Sequence, residues 1–306
     1  MADSNPFGSG IPPRRSPDKP PGRSSTLPKT VDSLDCVTLN VWTEDLLYTR
    51  PEWKKYTFAS RWHFIQTAIK GRDVIMLQEV HERSRNCIAE FAEANGYTMY
   101  SWLYHTIKKM YLVTLIGLRF KVLSVSVTET AVTDSKMLGV IVECNNRHIF
   151  MGNTHYPPDF KFTGSRMAAT EAFIKTAACF ENAFIAGDWN IFGLDAKCAP
   201  GSSVGFGDVA KAQLALAAEL GDIAIWKHDD DDHTSTFYGG PQEKPEHQGY
   251  NAPSETDRCW STKNIQVVNP QCKHLFYKED GVDVPISDHF PCYFTIAPRV
   301  CFSFEK

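Results

Sequence analysis

The stretch Phe184–Gly193, FIAGDWNIFG, places a short apolar run directly before a glycine, an acid, a tryptophan and an amide. The apolar run is typical of a buried strand. Because side chains alternate across a strand, Asp188 and Asn190 should point to the same side. Two short polar side chains at the end of a core strand could hold a metal, a phosphate or a water, or could form a polar turn. Partners elsewhere in the chain decide between these alternatives.

The composition is that of an ordinary globular protein, because 42% of the 306 residues are hydrophobic and 22% are charged. The net charge of −4 gives no global basic field that would attract nucleic acid, although a bound cation can supply positive charge instead. The nine cysteines are scattered and contain no C-x-x-C pair, which favours reduced thiols over disulfides and gives no zinc-type spacing. We therefore expect an intracellular protein, cytoplasmic or nuclear.

The first 30 residues contain seven Pro, five Ser and three Gly, which predicts a disordered Pro/Ser-rich tail over 1–30. They lack the apolar core of a signal peptide. The longest uncharged apolar run, 110–118, is far shorter than the roughly 20 residues of a membrane helix. We expect a monomer without a membrane segment.

Strand and helix signals alternate from residue 35 onward, without an internal repeat or a long linker. Helical spacing of apolar residues predicts helices over 56–70, 82–95, 164–180 and 208–220. Runs rich in Val, Ile, Phe and Tyr predict strands over 35–42, 73–80, 97–102, 111–120, 122–132, 138–144, 147–156, 182–190, 222–226 and 291–297. The pattern predicts one α/β domain over 31–306, with two packed sheets and outer helices.

The predicted strands share a second property, because many of them end in polar residues. Such strands end in Asn40, Glu79, Asn153, His155, Asp188 and Asn190. The strand over 291–297 is preceded by Asp288 and His289, and the stretch SETDRCW adds Asp257. Each one alone has an ordinary explanation, such as a strand-end carboxylate facing water or a hydrogen-bonded histidine. Their recurrence at strand ends indicates a site, because rigid strands aim side chains at such positions.

The ordered motifs LNVW, LQEV, NTHY, GDWN, TDR and SDH resemble those of the endonuclease/exonuclease/phosphatase superfamily across residues 35–297. DVIMLQEV and FIAGDWN are most similar to the 5′-tyrosyl-DNA phosphodiesterase branch, while TDRCW also resembles the inositol 5-phosphatases. The resemblance implies two mostly antiparallel sheets flanked by helices, a four-layer αββα sandwich. It also implies hydrolysis of a phosphoester with Mg²⁺, or with Mn²⁺ in its place.

The same resemblance implies the metal ligands. Glu79 would be the main ligand, Asn40 would lie close to it, and Asp288 would supply a second ligand or a second metal position. Oxygen ligands of this kind suit Mg²⁺, which polarises a phosphoryl oxygen and offsets charge in the transition state.

The resemblance also assigns roles in catalysis. Asp188 would orient or deprotonate the attacking water, and Asn190 would donate to a phosphate oxygen. His289 would contact phosphate or assist the leaving group, with Asp257 favouring its charged form. His155 would donate to a non-bridging oxygen. Arg166 and Trp189 are the candidate substrate-binding residues.

Substrate contacts are less clear from the sequence. The stretch YHTIKKMY (104–111) could meet a nucleic-acid backbone, with Tyr104 stacking on a base. The four acids of Asp229–Asp232 could bind a divalent metal, but consecutive residues in an extended chain point to alternate faces, which favours a solvated acidic loop.

Three functions follow from these residues. The first is a Mg²⁺-dependent phosphodiester hydrolase acting on nucleic acid, as a nuclease or a 5′-end-processing enzyme. The second keeps the chemistry but acts on inositol phosphates, lipid headgroups or nucleotides. The third is a catalytically inactive binding protein of the same fold.

Overall fold

The computed structural model describes residues 33–42, 57–130, 135–156, 163–190, 206–229 and 256–299. The predicted tail over 1–30 lies outside these residues. The described helices are α1 (Phe58–Ile69), α2 (Glu82–Ala94), α3 (Thr163–Ala178) and α4 (Phe206–Leu220). Each lies within two residues of its predicted bounds at either end.

The strands form two large sheets and a small hairpin. Their bounds are β1 (Leu34–Asn40), β2 (Val74–His81), β3 (Tyr97–His105), β4 (Met110–Gly117), β5 (Lys121–Glu129), β6 (Lys136–Cys144), β7 (Arg147–His155), β8 (Ala183–Asp188), β9 (Asp222–Ile223), β10 (Lys227–His228), β11 (Asp257–Ser261), β12 (Ile265–Cys272), β13 (Phe276–Glu279), β14 (Val282–Pro285) and β15 (Cys292–Pro298).

The seven-stranded sheet has the order β10–β12–β15–β1–β2–β4–β3, and the six-stranded sheet has the order β5–β6–β7–β8–β11–β9. Most neighbouring strands are antiparallel, as predicted. The exceptions are the parallel pairs β1–β2, β7–β8 and β10–β12. Strands β13 and β14 pair only with each other.

Three apolar clusters define the layers of the fold. The first lies between the two sheets, where Phe184 of β8 meets Phe294 of β15 with ring centroids 5.8 Å apart. The second joins the outer face of the seven-stranded sheet to α1 and α2, and the third joins the outer face of the six-stranded sheet to α3 and α4. The result is a four-layer αββα sandwich, which confirms the predicted fold class.

The parallel pairs decide where a site can form. Because β1 and β2 run in the same direction, their carboxyl ends meet at one edge of the seven-stranded sheet. The carboxyl ends of β7 and β8 meet in the same way in the six-stranded sheet. Packing the sheets face to face brings these two edges together. Among the described helices, none is both long and apolar enough to cross a membrane.

Candidate active site

The space between the sheets changes from apolar to polar at this common edge. On four strands, the face that packs between the sheets carries a polar side chain near the end of the strand. These side chains are Asn40 on β1, Gln78 on β2, His155 on β7 and Asp188 on β8. Core residues precede them on the same face: Cys36, Met76, Met151 and Ala186. The predicted residues therefore extend the inter-sheet core at its open end.

Strand register assembles the six-stranded half of the site. His155 on β7 lies opposite Asp188 on β8, and Asp188 lies opposite Asp257 on β11. Asn40 reaches across from the other sheet, with its Nδ2 donating to Asp188 Oδ2 at 3.0 Å. Three neighbouring strands and one facing strand thus place four predicted residues in one cluster.

Glu79 enters the cluster through an irregularity of β2. Met76 packs between the sheets and Leu77 packs in the helix layer, so regular alternation would point Glu79 at the helices. Instead, Glu79 has a φ of 53°, and the pairing of β2 with β4 shifts between Leu77 and Val80. This bulge turns the carboxylate inward, so that its Oε1 lies 3.2 Å from His155 Nε2.

His289 lies between two carboxylates. Its Nδ1 is 2.9 Å from Asp257 Oδ2, and its Nε2 is 3.6 Å from Asp188 Oδ2. Burial disfavours the charged ring, but the charges of Asp257 and Asp188 outweigh burial and hold the pKa of His289 well above its usual value. This arrangement favours the charged imidazole, in which Nδ1–H donates to Asp257.

Asp188 is oriented by three donors. Its Oδ1 accepts the backbone N–H of Asn190 at 2.7 Å, and its Oδ2 accepts Nδ2 of Asn40 at 3.0 Å and of Asn190 at 3.2 Å. Burial raises the pKa of Asp188, the positive His289 lowers it, and Asp257 raises it further. A fixed carboxylate with a raised pKa can accept a proton from a water that sits beside it.

The expected same-side placement of Asp188 and Asn190 is correct, but its cause differs from simple alternation. Strand β8 ends at Asp188, and Asn190 has a φ of 48°. The Asp188 side chain accepts the Asn190 N–H in a local turn, which brings the two side chains together. The polar turn and the site are thus the same feature.

The residues beside His155 suit a divalent cation. Glu79 Oε2 is buried and has no hydrogen-bond partner among the described residues. Burial disfavours ionisation of Glu79, but the combined effects of His155, Asn40 and His289 outweigh burial and lower the pKa of Glu79. Burial raises the pKa of Asp288 to about 7, with His289 opposing and Glu79 reinforcing the shift. Ligand atoms of Glu79, His155 and Asp188 lie within 4.8 Å of one another, and the orphaned oxygen of Glu79 offers the kind of ligand that Mg²⁺ or Mn²⁺ needs.

Two predicted substrate-binding residues are corrected by the structure. Trp189 is fully buried against α3, with its ring centroid 5.6 Å from that of Tyr156, so it cannot contact a substrate. Arg166 is also buried, and its guanidinium donates to the backbone oxygens of Trp189, at 2.7 Å, and of Asn190. Arg166 therefore braces the turn after Asp188 instead of binding substrate.

The predicted amides Asn190 and Asn40 both form hydrogen bonds with Asp188. The side-chain N–H groups of Asn190 donate to Tyr156 O and Asp188 Oδ2, which leaves neither for a phosphate in this conformation. Asn40 Oδ1 accepts the Trp42 N–H at 3.0 Å while its nitrogen donates to Asp188. Both amides orient Asp188, which makes the expected phosphate donor Asn190 a positioning residue here. Asn40 also forms a hydrogen bond with Glu79, so it lies close to that residue as expected.

Three residues complete the cluster without having been predicted. Thr256 Oγ1 donates to Asp257 Oδ2 at 3.1 Å, and Ser287 Oγ donates to the backbone oxygen of Asn40 at 2.7 Å. Arg61 on α1 is fully buried and donates to the backbone oxygens of Trp42 and Ile286, at 3.0 and 2.7 Å. Arg61 could have been found, because it falls on the apolar stripe of α1 with Phe58, Ile65 and Ile69.

Tyr104 is placed differently from its expected role. It is 3% exposed, and its ring centroid lies 4.9 Å from that of His155. Its hydroxyl donates to Met110 Sδ at 3.3 Å. Tyr104 therefore supports His155 from within the fold, and its ring is not available to stack on a base.

No protein-family model and no curated protein matches the sequence. Solved structures do match. They include zebrafish (D. rerio) TDP2 complexed with single-strand DNA product, at 13% identity and TM-score 0.61, covering 87% of this chain and 99% of that chain. A structure of ANGEL2, a 2′,3′-cyclic phosphatase, in complex with adenosine-2′,3′-vanadate matches at 14% identity and TM-score 0.62, covering 87% and 96%.

An endonuclease/exonuclease/phosphatase family protein from Bacteroides thetaiotaomicron matches at 14% identity and TM-score 0.61, covering 88% of this chain and 98% of that chain. The chain therefore has the fold of the endonuclease/exonuclease/phosphatase proteins. The resemblance noted in the motifs is confirmed at the level of the fold, with TDP2 structures among the matches.

Proposed function

We propose that this chain is a divalent-metal-dependent phosphodiester hydrolase that acts on nucleic acid. One observation carries the proposal: Asp257, His289 and Asp188 form a continuous buried chain of contacts. His155 contacts both Asp188 and Glu79, and one oxygen of Glu79 has no hydrogen-bond partner among the described residues. A purely structural network would pair its charges internally. This one keeps an acid oxygen of Glu79 that has no hydrogen-bond partner among the described residues, while the other oxygen of Glu79 contacts His155.

The chain's own groups suit in-line attack on a phosphodiester. Asp188 accepts the proton of the attacking water, because three donors fix its orientation and burial raises its pKa. The charged His289 faces the same place and stabilises negative charge on the phosphate or the leaving oxygen. His155, whose Nδ1 has no hydrogen-bond partner among the described residues, orients Glu79.

Glu79 and Asp288 would hold Mg²⁺ or Mn²⁺, which supplies Lewis-acid stabilisation of the phosphoryl oxygens when bound. Asp288 is the most exposed acid of the cluster, so the cation and the phosphate would enter from its side.

A nucleic-acid substrate is supported by a basic rim beside Glu79. The rim comprises Arg83, Arg85, Lys108 and Lys109, and the pairing of β2 with β4 brings the 105–110 turn beside the end of β2. Lys and Arg at such a rim bind phosphates in a salt-dependent manner. The zebrafish TDP2 structure holds a single-strand DNA product, which is consistent with this substrate class for the fold.

A terminal phosphoester is a second candidate within the same chemistry. Apart from Asp288, the predicted acids and histidines of the cluster are at most 9% exposed, which favours a phosphate at a chain end or on a small molecule. ANGEL2, which matches in fold, is described as a 2′,3′-cyclic phosphatase. The 2′,3′-cyclic phosphate of an RNA end is therefore an explicit alternative to a 5′ adduct.

The test uses three single-stranded oligonucleotides of one sequence: one with a 5′-phosphotyrosine, an RNA with a 2′,3′-cyclic phosphate, and one unmodified. Full-length protein is dialysed into metal-free buffer and assayed before and after addition of Mg²⁺ or Mn²⁺. We expect metal-dependent turnover of one modified end, lowered by at least about 10²-fold in Asp188→Asn.

The matched control is Asp222→Asn, which removes an exposed carboxylate paired with Arg299 and should keep full activity. Lys108→Ala should weaken oligonucleotide binding and reduce its salt dependence, whereas Lys121→Ala on β5 should not. Internal cleavage would make the protein a nuclease. No turnover of any oligonucleotide, with turnover of inositol phosphates or nucleotides, would overturn the nucleic-acid substrate, and no turnover of either class would leave a binding protein.

A further inference from the structure

A second cluster of metal-ligating side chains lies at the far edge of the seven-stranded sheet. His228 on β10, Cys272 at the end of β12 and His274 just beyond it bring one ligand atom each within 4.8 Å of one another. None of them belongs to the candidate active site. The His228 and His274 rings are nearly parallel, with an interplanar angle of 10° and centroids 5.4 Å apart.

Cys292 adds a second sulfur to this cluster. It is the cross-strand partner of Cys272 in the antiparallel pair of β12 and β15, so the two side chains share one face. The Cys272 thiol has hydrogen-bond contacts with Cys292, His228 and His274. The three neighbours therefore all contact the Cys272 sulfur.

We propose that His228, Cys272, His274 and Cys292 bind a zinc ion, in a site separate from the candidate active site. Two imidazoles and two sulfurs form the Cys₂His₂ set that tetrahedral zinc prefers, whereas Mg²⁺ prefers oxygen. Ligand atoms of tetrahedral zinc lie roughly 3.5 Å apart, given bond lengths of about 2.0–2.3 Å. The ligand atoms of His228, Cys272 and His274 already lie within 4.8 Å of one another without a metal.

Asp229 supports the site in the way that carboxylates support zinc-binding histidines. Its Oδ1 lies 3.0 Å from His274 Nδ1 and accepts the His274 backbone N–H at 3.0 Å. A carboxylate on one ring nitrogen fixes the tautomer and presents the other nitrogen, Nε2, to the metal. Of the acidic run Asp229–Asp232, only Asp229 lies in the described part of the chain, where it contacts the proposed ligand His274.

The proposed zinc site connects to the active site through one residue. The His274 ring packs edge-on against Phe290, with centroids 4.4 Å apart, and Phe290 directly follows His289. Zinc bound to His274 and Cys292 would therefore hold both sides of the segment that carries His289. This arrangement indicates a structural zinc that stabilises the loop next to the reacting groups.

The test substitutes Co²⁺ for zinc in full-length protein kept under a thiol-free reductant. Cobalt bound by thiolate gives a near-ultraviolet charge-transfer band, which the active site cannot produce because its predicted ligands contain no sulfur. We expect one equivalent of cobalt with this band, displaced by one equivalent of Zn²⁺. The band should be lost in Cys272→Ser and at least halved in His274→Gln.

The matched control is Cys144→Ser, which also removes a buried thiol but lies outside the cluster, on β6. It should keep the band, which separates ligand loss from a general loss of folding. Cobalt uptake without a thiolate band, a band that persists in Cys272→Ser, or a Cys272–Cys292 disulfide in the protein as isolated would each overturn the proposal. Because the readout is spectroscopic, it does not depend on the proposed hydrolase activity.

Discussion

At the scale of single residues, Asp257 controls the charge of the imidazole that faces Asp188. Burial lowers the pKa of His289, and the charge of Asp257 is the largest contribution that raises it. Asp257→Asn removes that charge, so the pKa of His289 should fall. Activity that requires the imidazolium is lost as pH rises through this pKa, so the alkaline limb of the pH–rate profile should move to lower pH. We expect kcat/KM at neutral pH to fall by about 10²–10³-fold.

Thr256→Val is the matched control for this prediction. It removes the hydroxyl that donates to Asp257 Oδ2 at 3.1 Å but keeps the carboxylate, so the alkaline limb should stay in place. An unshifted limb in Asp257→Asn, measured by initial rates over a pH series, would show that Asp257 does not set the charge of His289.

The residues that sequence reasoning placed correctly are those that alternation and register control. His155, Asp188 and Asp257 meet because their strands are neighbours in register. Trp189 was misplaced because an aromatic residue beside a strand-end acid can face either layer, and here it packs under α3. The supporting hydroxyls of Thr256 and Ser287 carry no sequence signal, since a single Thr or Ser is common in any turn.

At the scale of elements, long periodic segments were predictable and short irregular ones were not. All four described helices match their predicted bounds within two residues, whereas β10 to β14 were not predicted as strands. Strand β12 contains Asn269 with a φ of 49°, which interrupts its alternation. The β13–β14 hairpin did carry a signal, because Asp280-Gly281 forms a two-residue turn with positive φ at both positions.

Gly187 lets β7 and β8 approach closely enough to align His155 with Asp188. Its φ is +146°, and an added Cβ would lie 2.0 Å from the backbone oxygen of Thr154. Gly187→Ala should therefore destabilise the protein by about 3 kcal/mol or more, because a backbone atom must move. Urea unfolding monitored by tryptophan fluorescence measures the loss.

Gly71→Ala provides the comparison. Gly71 has a φ of +81°, but nothing lies within 4 Å of its added Cβ, so only the backbone conformation is penalised. We expect a cost of about 1 kcal/mol. Equal costs at the two positions would mean that close packing at Gly187 is not what requires glycine there.

At the scale of the whole molecule, the site exists only because two sheets stack with their polar edges together. The sequence predicted two packed sheets, and the motif order resembled a known superfamily, but no local rule shows that β1 of one sheet faces β8 of the other. The His228–Cys272–His274 cluster was not predicted from the sequence for the same reason. Cys272 and His274 are two positions apart, but His228 and Cys292 are distant in sequence, so cysteine spacing indicated no zinc.

The uncompensated acids of the site should make global stability depend on pH. The pKa of Asp288 is raised to about 7 by burial, opposed by His289 and reinforced by Glu79, so between about pH 4 and pH 7 the folded state keeps a proton that the unfolded state releases. Stability should therefore fall as pH rises through that range and stay low above it. Asp288→Asn should raise the free energy of unfolding at pH 8, in Mg²⁺-free buffer, by on the order of 2 kcal/mol.

The same substitution should give almost no stabilisation at pH 4, where Asp288 is protonated in both states, and urea titrations at the two pH values measure the difference. Added Mg²⁺ should stabilise the wild type at pH 8 but not Asp288→Asn, because the variant lacks a ligand. Asp222→Asn, at an exposed ion pair, should show neither effect. A stability difference between wild type and Asp288→Asn that does not change with pH would contradict the prediction.

The left-handed backbone at Glu79 means that this constellation cannot be transplanted by copying its side chains alone. If the same acids and histidines were placed on two regular packed sheets, alternation would point the Glu79 carboxylate at the helix layer. The proposed cation site would then lack one of its ligands. A design based on this site must therefore include the extra residue in β2 and the bulge that it forms against β4. The left-handed backbone conformation of Glu79 is thus as much a component of the site as any of its charged groups.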